Sequence, residues 1–350
     1  MESAIIIEKS IFIFTIFAIT MLAAMYSTWA ERKVAAWLQD RVGPNRAGTF
    51  GLLQPLADGL KLFSKEEFLP NTPNKFLFVV GPAISMSVAL MTSAVIPWGD
   101  RLVIGGREII LQATDVDVAI LYVFGVLSVG VYGIMIGGWA SNNKFSLMSA
   151  MRASSQMISY EIAMGMSLIA LLMMEGSLSL RDISASQAGM NWNVFYQPLG
   201  FIIFLVCSFA ETNRTPFDLA ECEAELIGGY HTEYSSMRMG FYLFAEYASM
   251  FISSTILAVL YFGGYNYPGM EWAVENWGVN IGNVIGIIVL FIKICAFIFF
   301  FMWVRWTIPR FRYDQLMRLG WQGLIPLAIA NIIITGIVMV RHEIAAALGF

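Results

Sequence analysis

Apolar and charged positions divide the chain into long charge-poor runs and shorter charged connections. Eight runs are long enough to cross a hydrocarbon layer of about 30 Å as helices. They cover residues 11–30, 76–98, 118–140, 157–174, 194–210, 239–262, 281–304 and 324–340. The run at 194–210 is short and has Pro198 near its start, where a proline costs a helix little. The pattern predicts an all-α polytopic integral membrane protein with about eight transmembrane helices.

Composition agrees with this class, because 58% of the residues are hydrophobic, only 13% are charged, and the mean hydropathy is +0.68. A soluble globule does not have these values. The first run is too long for a signal peptide and lacks a cleavable end, so we expect it in the mature protein. We therefore predict one integral membrane domain over residues 1–350. Its larger connections lie at about 31–75, 141–156, 211–238 and 305–323.

Lysines and arginines orient the predicted helices. Fifteen of the 21 lie in those four connections, five lie on the other side, and Lys293 lies inside a span. By the positive-inside rule the four connections are cytoplasmic and both termini are on the outer side of the membrane. The formal net charge of -4 gives no indication of a nucleic-acid partner.

Several chemistries are not expected in this chain. It has three cysteines without a C-x-x-C pair and only two histidines, so neither an iron-sulfur cluster nor a zinc site is expected. A glycine-rich nucleotide loop after a strand is not found in the sequence either. We expect no metal and no bound flavin here.

The first connection contains a predicted amphipathic helix. Gly43, Pro44 and Asn45 are expected to stop the first helix, and a new helical pattern begins at Pro55 or just before it. An apolar face and a charged face alternate there, formed by Leu53, Leu56, Leu60 and Phe63 and by Asp58, Lys61 and Lys65. This pattern is typical of a helix lying in the membrane interface, where it can frame an entrance for a lipid-soluble ligand. The alternative is an ordinary surface helix.

The third large connection is unusually acidic. Thr215 and Pro216 look like the cap and first residue of a short helix, which Gly228 and Gly229 would end. On that helix the carboxylates of Asp218, Glu221 and Glu225 would share one face. Like charges at this spacing repel, so we expect at least one to be protonated or paired. The alternative is a solvated acidic surface loop.

Three ionisable residues lie inside predicted spans. Glu161, Glu246 and Lys293 are roughly 13, 12 and 18 Å from the nearest cytoplasmic arginines at 1.5 Å per residue, so we expect similar depths. A charge at that depth is costly unless it is paired or hydrated, and such residues usually mark a proton or ion path. The competing interpretation is a structural pair between Lys293 and Glu246.

Five motifs carry a family resemblance over essentially the whole chain. They are ERKVAAWLQDRVGPNRAG from Glu31, QPLADGLKLFSKEEFLP from Gln54, ISYEIAMG around Glu161, AETNRTPFDLAECEAELIGGYHTEYSSMRMGFYLFAEY from Ala210 and PRFRYDQLM from Pro309. The chain resembles the H-subunit family of bacterial NADH:quinone oxidoreductase, respiratory complex I. Cys222 lies where relatives often have glycine, and nothing in the sequence explains it.

The resemblance implies a membrane subunit that docks the peripheral redox arm, forms much of the quinone chamber and couples quinone reduction to proton translocation. The chain alone would hold no complete active site and no proven catalytic residue, with quinone as substrate and flavin and iron-sulfur clusters in partner subunits. The implied location is the bacterial inner membrane. The quinone residues implied are Arg32, Arg41, Arg214, Phe217 and Asp218. The proton path combines the family's acids with Lys293: Glu31, Asp58, Glu66, Glu161, Glu211, Glu221, Glu223, Glu225, Glu233, Glu246 and Lys293.

Two other classes share some of these features. A secondary cation/proton transporter also has mid-membrane acids, but it usually shows internal repeats, and no long motif occurs twice here. A membrane anchor of an energy-converting hydrogenase is closer, because those complexes contain a related subunit that uses no quinone. The subunits that purify with the chain would distinguish the three.

Overall fold

The computed structural model describes residues 2–70, 74–220 and 226–348. Its chain is almost entirely helical. The helices are α1 (Glu2–Leu38), α2 (Gln54–Ser64), α3 (Lys75–Thr92), α4 (Ala119–Ala140), α5 (Lys144–Glu175), α6 (Leu180–Ser186), α7 (Asn193–Tyr196), α8 (Pro198–Glu211), α9 (Ser236–Tyr261), α10 (Met270–Trp277), α11 (Val279–Thr307), α12 (Tyr313–Arg318) and α13 (Ile325–Leu348). A π-helical turn, Leu319–Leu324, joins the last two, and strands β1 (Arg101–Ile104) and β2 (Arg107–Ile110) pair antiparallel.

Seven helical stretches of the described residues are long and apolar enough to cross a membrane. They correspond to all predicted spans except 194–210, so the all-α polytopic class is confirmed. The eighth, α8, begins at Pro198 and has 14 residues, which is roughly 21 Å at 1.5 Å per residue. Gln197 interrupts the helix before it, which leaves the four-residue α7 as a separate turn.

Helix α9 lies at the centre of the fold. In its most apolar 18-residue window 67% of the residues are buried, compared with 22% for the first, sixth and seventh spans. The outer helices α1, α11 and α13 therefore present their remaining apolar surface outward, to lipid or to other subunits. Residues on α9 are consequently the ones that several helices can reach at once.

Two connections differ from the prediction. Helix α5 begins at Lys144, capped by the side chain of Asn143, so most of the predicted connection 141–156 is helical. The predicted amphipathic helix is confirmed as α2, whereas α1 ends at Leu38, five residues before the GPN turn.

The sequence pattern missed a β-hairpin, β1 and β2, whose Gly105–Gly106 turn has positive φ at both residues and was the available signal.

The helix predicted to begin at Pro216 is wrong for the residues that the structure describes. Residues 212–220 form turns, and Glu221, Cys222, Glu223 and Glu225 lie outside the described residues. Side chains of α5 satisfy this backbone instead: Gln156 Nε2 donates to the carbonyls of Ala210 at 2.9 Å and Phe217 at 2.8 Å. Because these partners come from another helix, the segment needs no helical hydrogen bonds of its own.

Candidate functional site

Arg214 is the largest fully buried side chain of the described residues, with 1% of its surface exposed. It lies in the turn after α8. Its Nη1 donates to Glu31 Oε2 of α1 at 2.5 Å, and its Nε lies 3.0 Å from Glu246 Oε1 of α9. The guanidinium carbon is 4.3 Å from the centre of the Tyr247 ring, a cation–π contact. One arginine thus holds two helices and a loop together.

A second arginine completes this cluster. Arg305 Nη1 of α11 lies 2.7 Å from Glu31 Oε1, so each carboxylate oxygen of Glu31 faces a different arginine. The order Arg305, Glu31, Arg214, Glu246 alternates in charge and sums to zero; we call these four residues the ion chain. Burial lowers the pKa of Arg214, but the charges of Glu246 and Glu31 raise it above its ordinary value. Arg214 therefore remains charged.

A separate ion pair fixes the loop that carries Arg214. Asp218, which is 3% exposed, accepts from Arg310 Nη2 at 2.9 Å. Beside it the Phe217 ring packs against Tyr160 and Phe311, with centroids 5.3 and 5.6 Å away. The alternative of a solvated surface loop is therefore wrong for residues 211–220, because all but Asn213 are buried.

The amphipathic helix α2 is joined to α1 by charge. Arg32 Nη1 lies 2.7 Å from Asp58 Oδ2, and the other oxygen of Asp58 accepts from Gln54 Nε2 at 3.1 Å. Lys61 Nζ is 3.7 Å from the same carboxylate. Arg32 is half exposed, so this pair is open to solvent and contributes little to stability. The pair places the charged face of α2 next to the first helix.

Two cavities adjoin Arg32 and Tyr247, which line both of them. The Glu31 cavity has a volume of about 390 Å³ and the α2 cavity about 320 Å³. The first carries three charged side chains, and its lining beyond Arg32 and Tyr247 consists of Glu31, Ala35, Arg41, Gly43, Pro44 and Trp306. The second combines the charged groups of α2 with apolar side chains of three helices, among them Met25, Leu62, Met239, Leu243 and Phe244. A ligand with a polar head and an apolar tail matches such a pair of cavities.

A third cavity lies on the other side of the ion chain. The Glu246 cavity has a volume of about 60 Å³, which is room for a few water molecules. Its polar lining consists of Ser85, Glu211, Thr212, Asn213, Tyr230, Tyr242, Glu246, Ser249 and Ser253. A smaller space of about 10 Å³ continues from Glu211 and is lined by Ser208, Ser253 and Leu127. Next to Leu127, Ser128 donates through its hydroxyl to the carboxylate of Glu161. Glu211 and Glu246 therefore share one polar cavity, whereas the smaller space that continues from Glu211 is lined mostly by apolar side chains.

Several predicted site residues lie elsewhere. Phe217 and Asp218 line none of the cavities described above; they pin the loop that holds Arg214. Glu66 is exposed beyond the end of α2, where Ser235 Oγ lies 3.5 Å from its backbone carbonyl. Glu233 accepts from Asn143 Nδ2 at 2.7 Å at the start of α5.

Lys293 does not lie at the depth of Glu246, so the expectation of a shared depth is wrong. Its ammonium contacts the carbonyl of Phe262, 16 residues beyond Glu246 and roughly 24 Å along the helix axis. The pair with Glu246 that was kept as an alternative is also wrong, because Glu246 binds Arg214. Similar spacing from the nearest arginine along the chain did not give equal depth in the membrane, because those arginines themselves lie at different depths.

Four residues of the site were not predicted from the sequence. Tyr247 lines both larger cavities, Trp306 lines one of them, Arg305 binds Glu31 and Arg310 binds Asp218. Tyr247 and Arg310 lie within the quoted motifs, and Arg305 is one of the arginines that give the predicted orientation and the expected depth of Lys293. The sequence did offer a signal for the two arginines. A buried carboxylate needs a cation beside it, and few arginines lie near the predicted spans.

Comparison with known proteins assigns the family. Residues 11–336 match the family model described as NADH dehydrogenase. The NADH-quinone oxidoreductase H subunit of Flavobacterium johnsoniae is 80% identical over 350 residues, which is all of both chains. The H subunit of Flavobacterium psychrophilum is 79% identical over 98% of this chain and all of its own, and the H 1 subunit of Cytophaga hutchinsonii is 64% identical over 95% and 96%. A secondary transporter is thereby excluded, and the chain belongs to the NADH dehydrogenase family as the H-type membrane subunit of NADH-quinone oxidoreductase.

Proposed function

We propose that the Glu31 cavity and the α2 cavity form much of the quinone chamber of complex I. A quinone headgroup carries two carbonyl acceptors, which the guanidinium groups of Arg32 and Arg41 can meet from the wall of the Glu31 cavity. The isoprenoid tail is apolar and suits Leu62, Leu243 and Phe244 in the α2 cavity. Tyr247, which borders both cavities, would lie between head and tail.

The ion chain is the single observation that carries the coupling part of this proposal. Glu31 lines the Glu31 cavity, Glu246 lines the Glu246 cavity, and Arg214 contacts both carboxylates. Reduction of a quinone to a neutral quinol takes up two electrons and two protons, so the electrons add negative charge beside Glu31 until the protons are delivered. A change in that charge alters how strongly Arg214 is shared with Glu246 and so shifts the proton affinity of Glu246.

From Glu246 the proposed proton path continues along Glu211 and Glu161. Water molecules in the Glu246 cavity would connect Glu246 with Glu211, and the serines that line this cavity offer hydroxyl groups. Glu31, Asp58, Glu66 and Glu233 would serve the approach from the surface, and Glu221, Glu223 and Glu225 complete the proposed set of acids. The ammonium of Lys293 would take no part in this path, because it is bound to carbonyls elsewhere.

The proposed partner surface lies at the same end of the molecule as the two larger cavities. Trp37 and Phe50 are 69% and 73% exposed close to the charged connections. Exposed apolar groups of this size mark surfaces that a partner covers. We propose that the peripheral redox arm, which would carry the flavin and iron-sulfur clusters, docks here. The positive-inside rule then puts this end in the cytoplasm and the β-hairpin end on the outer side of the bacterial inner membrane.

The test uses Glu246→Gln and Glu161→Gln in the assembled complex. Both substitutions keep the shape of the side chain and remove its charge. We expect quinone reduction at least about fivefold slower, the lower end of typical coupling between sites, and proton pumping lost, with normal assembly. NADH:quinone turnover and proton uptake by sealed membrane vesicles would be measured together across pH.

Glu108→Gln is the matched control, because this exposed carboxylate pairs with Arg101 at the opposite end of the molecule. It should leave both activities unchanged. Full quinone reduction and full pumping in both Glu246→Gln and Glu161→Gln at every pH would show that these residues are structural and would refute the proposed path.

A further inference from the structure

The end of α9 contains a ring of backbone carbonyls around one ammonium group. Lys293 Nζ donates to the carbonyls of Phe262 at 2.7 Å, Gly264 at 2.8 Å and Asn266 at 2.7 Å. The Trp192 ring lies over the same nitrogen, 5.3 Å from it. We call these three carbonyls and the ring the carbonyl cage. It lies between α11 and the turn that follows α9, far from the ion chain.

Other donors bind the neighbouring carbonyls, so the carbonyls of Phe262, Gly264 and Asn266 remain available to the ammonium group. The last carbonyls of a helix have no partner within the helix. Gln187 Nε2 donates to the carbonyls of Val259 at 3.0 Å and Leu260 at 3.2 Å, and the Gly264 amide donates to Ala258 at 2.8 Å. Positive φ at Gly263 and Gly264 reverses the chain. The remaining oxygens then converge on one point.

The geometry suits a primary ammonium group. Such a group has three N–H donors and no acceptor, and it here finds three oxygens at hydrogen-bond distance. The aromatic face and the negative end of the α9 dipole add attraction for a cation. Among the described residues no carboxylate lies within 4.0 Å of the nitrogen, so neutral groups hold the charge. An ion pair would bring a second charge to this partly buried position, which the arrangement avoids.

We propose that the carbonyl cage is a binding site for primary ammonium cations, which Lys293 fills with its own side chain to lock α9 against α11. The site lies outside the proposed quinone chamber and outside the proposed proton path. The side chain of Lys293 occupies it as a ligand that is covalently attached to the protein. A cage of this kind should accept a free alkylammonium of the right length once the tether is removed.

The test removes the tether and returns the ligand. Lys293→Ala deletes three methylenes and the ammonium, which n-propylammonium matches atom for atom. In assembled complex we expect the half-life of NADH:quinone activity on heating to fall at least about tenfold, because three hydrogen bonds to a charged group are lost. Addition of n-propylammonium should restore most of it in a saturable manner, while tetramethylammonium, which has no N–H donor, and potassium should not.

Two variants serve as controls. Lys293→Met fills the space without charge, so it should lose stability and gain nothing from n-propylammonium, and Lys144→Ala at the exposed start of α5 should respond to no amine. Equal recovery with tetramethylammonium or potassium, or a Lys293→Met complex as stable as the unaltered one, would overturn the proposal.

If Lys293→Ala accumulates only in cells grown with n-propylammonium, the proposal is supported. If it never accumulates, Lys293→Met must accumulate less than the unaltered chain, and equality overturns the cage.

Discussion

Helix α9 meets two cationic groups, the fully buried Arg214 and the partly buried Lys293, that are held in opposite ways. In its first half Glu246 shares Arg214 with Glu31, and each of the two acids adjoins a cavity. At its end the ammonium of Lys293 is held by neutral carbonyls, with the oxygens at 2.7–2.8 Å. The two arrangements solve the same problem, the burial of a cation, at different places on one helix.

The difference has a functional consequence. Carboxylates gain and lose protons, so an arginine between two of them sits in a field that changes when either carboxylate or its cavity changes charge. Backbone carbonyls cannot be protonated near neutral pH, so the field around Lys293 is constant. Variable partners suit a coupling element, and constant partners suit an anchor. In the proposed function, one helix therefore carries a responsive region and a fixed one.

Loss of the central arginine should give the largest effect. Arg214→Met leaves Glu31 and Glu246 buried without their shared cation, and breaking a buried pair in this way costs about 3–5 kcal/mol. We expect little assembled complex, measured as the amount of chain in the membrane fraction that co-purifies with the redox subunits. The double variant Arg214→Met, Glu246→Gln removes one stranded charge and should recover part of the yield. A fully assembled Arg214→Met complex would show that the ion chain does not hold these helices.

Two neighbouring alanines of α1 should separate chamber from packing. Ala35 lines the Glu31 cavity, and Ala35→Leu should raise the KM for quinone about tenfold while NADH:ferricyanide activity survives. Ala36 is fully buried, and its Cβ would lie 2.9 Å from a Cβ built on Gly43. Ala36→Leu should therefore overpack the turn at a cost of about 1–3 kcal/mol, and both activities should fall together. Loss of both activities in Ala35→Leu would place that residue in packing as well.

The smallest effect is expected at the hairpin end. Arg101 Nη1 pairs with Glu108 Oε1 at 3.0 Å, but both side chains are exposed. Surface pairs contribute about 0–1 kcal/mol, so Arg101→Ala should leave thermal inactivation of the complex almost unchanged. A loss comparable to that of Arg214→Met would mean that a partner protein covers the hairpin and buries this pair.

Prediction from the sequence succeeded where the local pattern decides an element and failed where distant residues decide it. The amphipathic helix α2 was predicted from the spacing of Leu56, Leu60 and Phe63, because a helix period is a local property. The helix predicted at Pro216 had equally good local signals. It is not formed over residues 216–220, because Gln156 and Arg310 bind this loop from distant positions.

The apolar runs alone were enough to specify a polytopic helical membrane protein. A hydrocarbon layer leaves a backbone few solutions, so long apolar runs define spans without knowledge of their neighbours. Which charges meet depends on the packed fold: Glu31 and Arg214 are 183 residues apart, and no spacing along the chain predicts their contact. The partners of Lys293 depend on it as well, because its acceptors are carbonyls that every residue possesses, and only the fold brings three of them to one point.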